Sequence, residues 1–135
     1  MLYLPDTNVW IHHLNPAPSI VKTRLSACPP SQIALCDVVK AELYYGAYKS
    51  ARCEENLKLL KTLFPDFVSF AFDGETARIF GDIRADLSRK GTPIGPYDLQ
   101  IAAIALANDC ILVTHNTGEF SRIAGLKLED WEVGK

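Results

Sequence analysis

Met1-Leu2-Tyr3-Leu4-Pro5-Asp6-Thr7-Asn8-Val9, at the start of a chain of 135 residues, decides the fold class. Leu2 to Leu4 is a short apolar run that reads as a strand, and Asp6 stands just past its end. Val9 to Leu14 then reads as a short helix, broken by Pro16 and Pro18. The same strand-then-helix order recurs down the chain. Ile33 to Cys36 reads as a second strand, with Asp37 as N-cap of the helix that carries Glu42 and with Gly46 a weak point inside it. Phe67 to Phe72 is strand-like, although its alternation is poor, and Asp73 caps the next helix. Ile111 to Thr114 is a fourth strand and Leu126 to Leu128 a short fifth. Strands separated by helices require crossover connections. The expected architecture is therefore α/β: one domain over residues 1–135, with a mainly parallel sheet of four or five strands flanked by helices on both faces.

The remaining helices follow from their caps and stripes. Ser19 caps a helix running to about Ala27, closed by Pro29-Pro30. From Arg52 a helix puts Leu57, Leu60, Leu63 and Phe64 on one face and stops at Pro65. The helix after Asp73 buries Ile79, Phe80, Ile83 and Leu87 and exposes Arg78, Asp82, Arg84, Asp86, Arg89 and Lys90. A turn-rich loop, Gly91 to Pro96, delivers Tyr97 and Asp98 to an alanine-rich helix ending near Asn108. Pro5 lacks the N–H that a central strand donates, so pairing is expected to be interrupted just before Asp6.

A hydrophobic share of 48% with 22% charged residues describes an ordered globular chain. The net charge of −2 argues against nucleic-acid binding by bulk electrostatics, but not against a nucleic-acid enzyme with an acidic metal site. No apolar run approaches the roughly 18–20 residues that span a bilayer. No basic, apolar and small-residue leader pattern opens the chain, so a cytoplasmic protein without membrane partners is expected. Cys28, Cys36, Cys53 and Cys110 show no C-x-x-C spacing and read as reduced, packed thiols. His12 and His13 are adjacent, point to different helix faces and read as surface or packing residues.

Four acids sit where apolar segments run or end: Asp6, Glu42, Asp98 and Glu119. Glu42 shares helical offsets with Val38, Val39, Tyr45 and Gly46, and Asp98 leads a stripe of Ile101, Ala102 and Ala105. Glu119 follows the apolar run Cys110 to Val113. Parallel α/β sheets bind ligands beyond the carboxyl ends of their strands, where Asp6 and the 115–119 loop both lie. Carboxylates gathered in a partly dry site repel one another unless a cation neutralises them. A site for one or two Mg²⁺ or Mn²⁺ ions, which take oxygen ligands, reconciles the four. Asp6 and Asp98 are the principal candidate ligands, and Glu119 completes the set. Glu42 acts through a bound water or at a second ion, and Asn116 is a neutral oxygen donor nearby. Asn8 and Thr114 orient carboxylates or waters by hydrogen bonding. Each acid also has a structural reading: Asp6 and Asp98 as helix-start caps, Glu42 as a partner of Arg24 or Lys40, Glu119 as an ordinary loop acid.

These residues also carry a resemblance. Asp6-Thr7-Asn8 resembles the opening motif of PIN-domain nucleases, and Glu42-Leu43-Tyr44-Tyr45-Gly46 resembles their E-L-x-x-G motif. Asp98-Leu99-Gln100-Ile101-Ala102-Ala103 is similar to the D-x-x-I-A-A motif, and Val113 to Phe120 to the last one. Order and spacing match the VapC branch over nearly the whole chain. The 91–98 loop and the ending Gly125 to Trp131 are similar to one subgroup of that branch. The chain departs from the pattern at Asn116, where many members carry aspartate, and at Gly118, where relatives often carry a basic residue.

The resemblance implies a Mg²⁺- or Mn²⁺-dependent endoribonuclease, the toxin of a type II toxin–antitoxin pair. It implies a homodimer, silenced by a cognate antitoxin, and for this subgroup an initiator tRNA substrate cut in the anticodon stem-loop. It makes Asp6, Glu42, Asp98 and Glu119 the candidate catalytic acids. No substrate-binding residue is singled out: Lys40, Lys49, Arg52, Arg84, Arg89 and Lys90 are candidates for a phosphate-binding rim, and Tyr97 for stacking on a base or packing in the core. Two competing readings are a phosphatase with Asp6 as nucleophile and a catalytically silent module that binds RNA or protein.

Overall fold

Five short strands form the centre of the computed structural model, which describes residues 1–133. They are β1 (Tyr3–Pro5), β2 (Ala34–Cys36), β3 (Val68–Phe70), β4 (Ile111–Val113) and β5 (Lys127–Glu129). β1, β4 and β5 make one parallel ladder and β2 and β3 a second. The two meet at a parallel bridge between Tyr3 and Ile33, which gives the order β3-β2-β1-β4-β5. Among the described residues seven α-helices connect them: α1 (Thr7–Leu14), α2 (Ile20–Ala27), α3 (Asp37–Lys49), α4 (Cys53–Leu63), α5 (Gly74–Arg89), α6 (Pro96–Ala107) and α7 (Thr117–Phe120). The chain steps outward from β1 to β2 to β3, then returns across the sheet to β4 and β5. Right-handed crossovers therefore put α1 to α4 on one face and α5 and α6 on the other. The helix contacts agree, since α1 packs on α2 and α3, α3 on α4, and α5 on α6.

The parallel sheet with helices on both faces is the architecture expected from the sequence. Its details differ for physical reasons. β3 covers only the middle of the expected Phe67–Phe72 run, because it is the far edge strand and leaves Val68 and Ser69 exposed. A strand with so little to bury shows no clear alternation. Pro5 stays within β1 and is in register with Val113, and Asp6 N–H donates to Val113 O at 2.9 Å. Successive residues of a strand point their N–H groups to opposite neighbours, so the N–H that Pro5 lacks would face β2. Pairing is therefore kept towards β4, while towards β2 it shrinks to the Tyr3–Ile33 bridge. Asp37 is the first residue of α3 and not its cap; Cys36, extended at φ −143° and ψ 162°, takes the cap position.

Leu4, Ile33, Leu35, Ile101, Ile104 and Leu112 are fully buried and hold the sheet to its helices. Each such side chain contributes about 1.5–3 kcal/mol by leaving water. Trp10 of α1 is buried too, edge-on to Phe67 and His13. α6 packs flush because Ala102, Ala103 and Ala105 are small and buried. α5 ends in a Schellman motif: Thr92 N–H donates to Leu87 O at 3.0 Å and Gly91 N–H to Ser88 O at 3.1 Å, with Gly91 at φ +70°. α6 ends the same way, with Cys110 N–H on Ala105 O, but with Asp109 in the left-handed position at φ 52°. None of the helices among the described residues is long and apolar enough to cross a membrane.

Candidate active site

The sheet reverses its winding direction between β1 and β4, and parallel sheets leave an open crevice at that place. Asp6 leaves the end of β1 and Thr114 the end of β4 there, on adjacent strands. A cleft of about 740 Å³ opens beside them, lined from α1 by Thr7, Asn8 and Ile11, from α3 by Asp37, Glu42, Tyr45 and Lys49, and from α6 by Tyr97, Asp98 and Gln100. Three acids expected from the sequence, Asp6, Glu42 and Asp98, thus face one cavity although they are far apart along the chain.

Asp6 is 7% exposed and caps α1, its Oδ1 accepting from Val9 N–H at 3.0 Å. Burial raises its pKa, the Thr114 hydroxyl and the Val9 N–H pull it back, and the charges of Glu132 and Glu42 raise it again. Asp98 stands in the first turn of α6, after Pro96 has fixed the helix start. Burial pushes its pKa up to about 6, and the charges of Glu119, Asp6 and Glu42 add to the rise, in that order. Asp98 therefore experiences all three of the other predicted acids. Glu42 is half-buried and is held by the Thr7 hydroxyl, which donates to Glu42 Oε1 at 2.5 Å. Glu119, in α7, is half-buried outside the cleft lining and reaches the site through its charge on Asp98.

The supporting residues divide differently from expectation. Thr114 is fully buried, and its hydroxyl accepts Asn116 N–H at 3.0 Å, shaping the turn into α7. Asn116 is exposed and outside the cleft lining. Asn8 is exposed on the cleft, but the side chain that orients a carboxylate is its neighbour Thr7. Glu42 does not lie on the core face of α3. That face is Val39, Leu43 and Ala47, whereas Tyr45 is 65% exposed and lines the cleft with Glu42. Asp37 adds a further acid at the rim.

Of the six basic candidates, Lys49 alone lines the cleft. Lys40 sits over the Phe64 ring, Arg84 over Phe80, Arg52 beside Glu55 and Lys90 on Asp86. Tyr97 is 61% exposed on the cleft wall and is no part of the core.

The donor chemistry is that of a hard cation. The acids offer only oxygen donors, and burial first, then the charges of Glu119, Asp6 and Glu42, raises the proton affinity of Asp98. Among the described residues no three His, Cys, Asp or Glu side chains are gathered tightly enough to hold an ion by themselves.

Similarity to known proteins identifies the family. The PIN domain family model matches residues 3–126. The tRNA(fMet)-specific endonuclease VapC of Salmonella typhimurium is 36% identical over 96% of this chain and 97% of its own. Ribonuclease VapC2 of Rickettsia felis is 35% identical over 98% and 99%. The crystal structure of DNA-bound VapBC from Salmonella typhimurium superposes with a TM-score of 0.88 at 37% identity, covering 97% of this chain and 99% of that one. Motif order, sheet order and full-length similarity converge on one assignment: the chain belongs to the PIN domain family, in its VapC branch.

Proposed function

We propose that this chain is a divalent-metal-dependent endoribonuclease, the toxin of a toxin–antitoxin pair, acting on initiator tRNA in the anticodon stem-loop. The observation that carries the reading is the shared cleft: Asp6 from the end of β1, Glu42 from α3 and Asp98 from α6 line one cavity, where burial and then the charges of Glu119, Asp6 and Glu42 push the Asp98 carboxyl up. Relatives named as ribonucleases and as a tRNA(fMet)-specific endonuclease support the reaction class and the substrate. VapBC structures support an antitoxin partner. A homodimer in the cytoplasm completes the proposal.

In this reading Asp6, Asp98 and Glu119 would hold Mg²⁺ or Mn²⁺ with bound waters making up the rest of its shell, since no three acids among the described residues close on an ion by themselves, and Glu42 and Asn116 would be additional oxygen donors. Bound there, the ion supplies charge neutralisation and Lewis-acid polarisation of a phosphodiester. The chain's own residues supply the positioning. The cap bond from Val9 N–H fixes Asp6 Oδ1, and the Thr114 hydroxyl acts on the same carboxylate. The Thr7 hydroxyl fixes Glu42 Oε1 in the same way, and Thr114 presents the turn that carries Asn116 and Glu119. Walls from α1, α3 and α6 narrow the approach to the acids.

The test is direct. Protein purified free of any inhibitor is incubated with total tRNA and Mg²⁺, and the new 5′ ends are mapped. Cuts confined to the anticodon stem-loop of initiator tRNA, lost in Asp98→Asn and with EDTA, support the proposal. Undiminished cleavage by both Asp6→Ala and Asp98→Asn removes it.

A further inference from the structure

Among the described residues the cleft is lined by the acids Asp6, Asp37, Glu42 and Asp98 and by a single cation, Lys49. A polyanion gains little attraction there, even after a divalent ion has offset part of the charge. Affinity for a nucleic acid must then come from uncharged contacts, and two side chains are placed to make them. Tyr45 and Tyr97 are 65% and 61% exposed, and both belong to the cleft wall. Tyr45 lies one helical turn beyond Glu42 on α3, and Tyr97 immediately precedes Asp98 on α6. An aromatic ring thus accompanies an acid on each of two opposing helices. Lys49 Nζ lies 5.1 Å from the centre of the Tyr45 ring, so one wall offers a ring and an ammonium together. The other exposed tyrosines have different settings: Tyr44 packs edge-on to Phe64, and Tyr48 lies outside the cleft lining.

We infer that Tyr45 and Tyr97 are a base-stacking clamp for two unpaired nucleotides that flank the scissile phosphate, with Lys49 meeting a backbone phosphate on the Tyr45 side. The inference rests on the ribonuclease reading above and deepens it. Stacking on a ring needs a base turned out of a helix, so the clamp selects loops over duplex RNA. It is tolerant of base identity, because every base presents a π-face. Binding dominated by stacking also has a shallow salt dependence, set by Lys49 and few other cations.

Single-turnover cleavage of a short RNA hairpin with Mg²⁺ tests this. Tyr45→Ala and Tyr97→Ala each weaken RNA binding about tenfold, in the range measured for base–aromatic stacking. The maximal cleavage rate changes little, and Tyr→Phe restores binding where Ala does not. On a hairpin with abasic sites flanking the cut, wild type and both alanine variants converge to the same weakened affinity. Equal binding of the intact hairpin by wild type and both alanine variants, when wild type cuts it, overturns the clamp and leaves the ribonuclease reading standing. Loss of affinity for a partner protein without any loss for RNA overturns it too, by assigning the two rings to protein binding. No cleavage by wild type with any RNA overturns the ribonuclease reading itself.

Discussion

Thr7 on α1 donates its hydroxyl hydrogen to Glu42 on α3, a bond between residues 35 positions apart that ties the first helix to the cleft wall. Oxygen ligands are usually fixed by such outer contacts, whose removal lowers metal affinity or activity about 10- to 100-fold. Thr7→Val is expected to reduce cleavage within that range, and Thr7→Ser to restore it. The check is single-turnover cleavage over a Mg²⁺ titration: the variant is expected to need more Mg²⁺, while its melting temperature stays within a few degrees of wild type.

Asp6 caps α1 and, in the proposed reaction, also serves the cleft; two substitutions part these duties. Asn keeps an oxygen for Val9 N–H, so Asp6→Asn is expected to fold with nearly the wild-type midpoint while losing cleavage. Asp6→Ala removes the cap as well and is expected to cost about 1 kcal/mol of stability. Urea unfolding of the two variants checks this, and equal stabilities would contradict a capping role.

Asp98 predicts a pH dependence whose sign can be worked out. Its folded pKa, about 6, lies above the ordinary value of 3.8. The folded protein then holds this proton more tightly than the unfolded chain does. The resulting stability is fully present below about pH 3.8 and is lost as the pH rises through 6. In EDTA, Asp98→Asn is therefore expected to be more stable than wild type at pH 7.5, by about 1–2 kcal/mol after allowing for solvent screening at a half-buried site. The gap is expected to narrow by pH 5. Unfolding curves at both pH values measure it, and a gap that does not change with pH contradicts the assignment.

The two Schellman endings give opposite expectations. Gly91, at φ +70°, is expected to lose about 1 kcal/mol on change to Ala, through backbone strain alone, since nothing within 4 Å would meet the new Cβ. Asp109 occupies the matching position after α6 at φ 52°, so Asp109→Gly is expected to be tolerated or stabilising despite losing the exposed contact with Lys127. Thermal melts are the check: Gly91→Ala is expected to lower the midpoint, and Asp109→Gly to leave it unchanged or raise it.

What the sequence revealed of the site follows from range. Asp6 and Asp98 stand at a strand end and a helix start, features encoded by their immediate neighbours, and both were legible. The Thr7–Glu42 bond was not, because a contact across 35 positions leaves no local pattern, and the adjacent Asn8 is the more familiar polar helper. From its spacing Tyr45 reads as part of the apolar face that Glu42 shares. Only the packing of Val39, Leu43 and Ala47 inward decides that it faces out. Asp37 looked like a cap because acids favour that position, but the extended Cys36 before it takes the place and leaves Asp37 on the rim. The sheet itself was legible from its strand–helix order. The exposed edge of β3 blurred its limits, because a half-solvated strand is under little pressure to alternate.

The sheet order carries a consequence for biosynthesis. β1 leaves the ribosome well before its neighbour on the cleft side, β4, which begins only at Ile111. Until that late strand docks, Asp6 has no Thr114 beside it, and Asp98 has no Glu119 in α7. A nascent polypeptide thus carries the pieces of its cleft unassembled until β4 and α7 have been made, which delays any activity to that point.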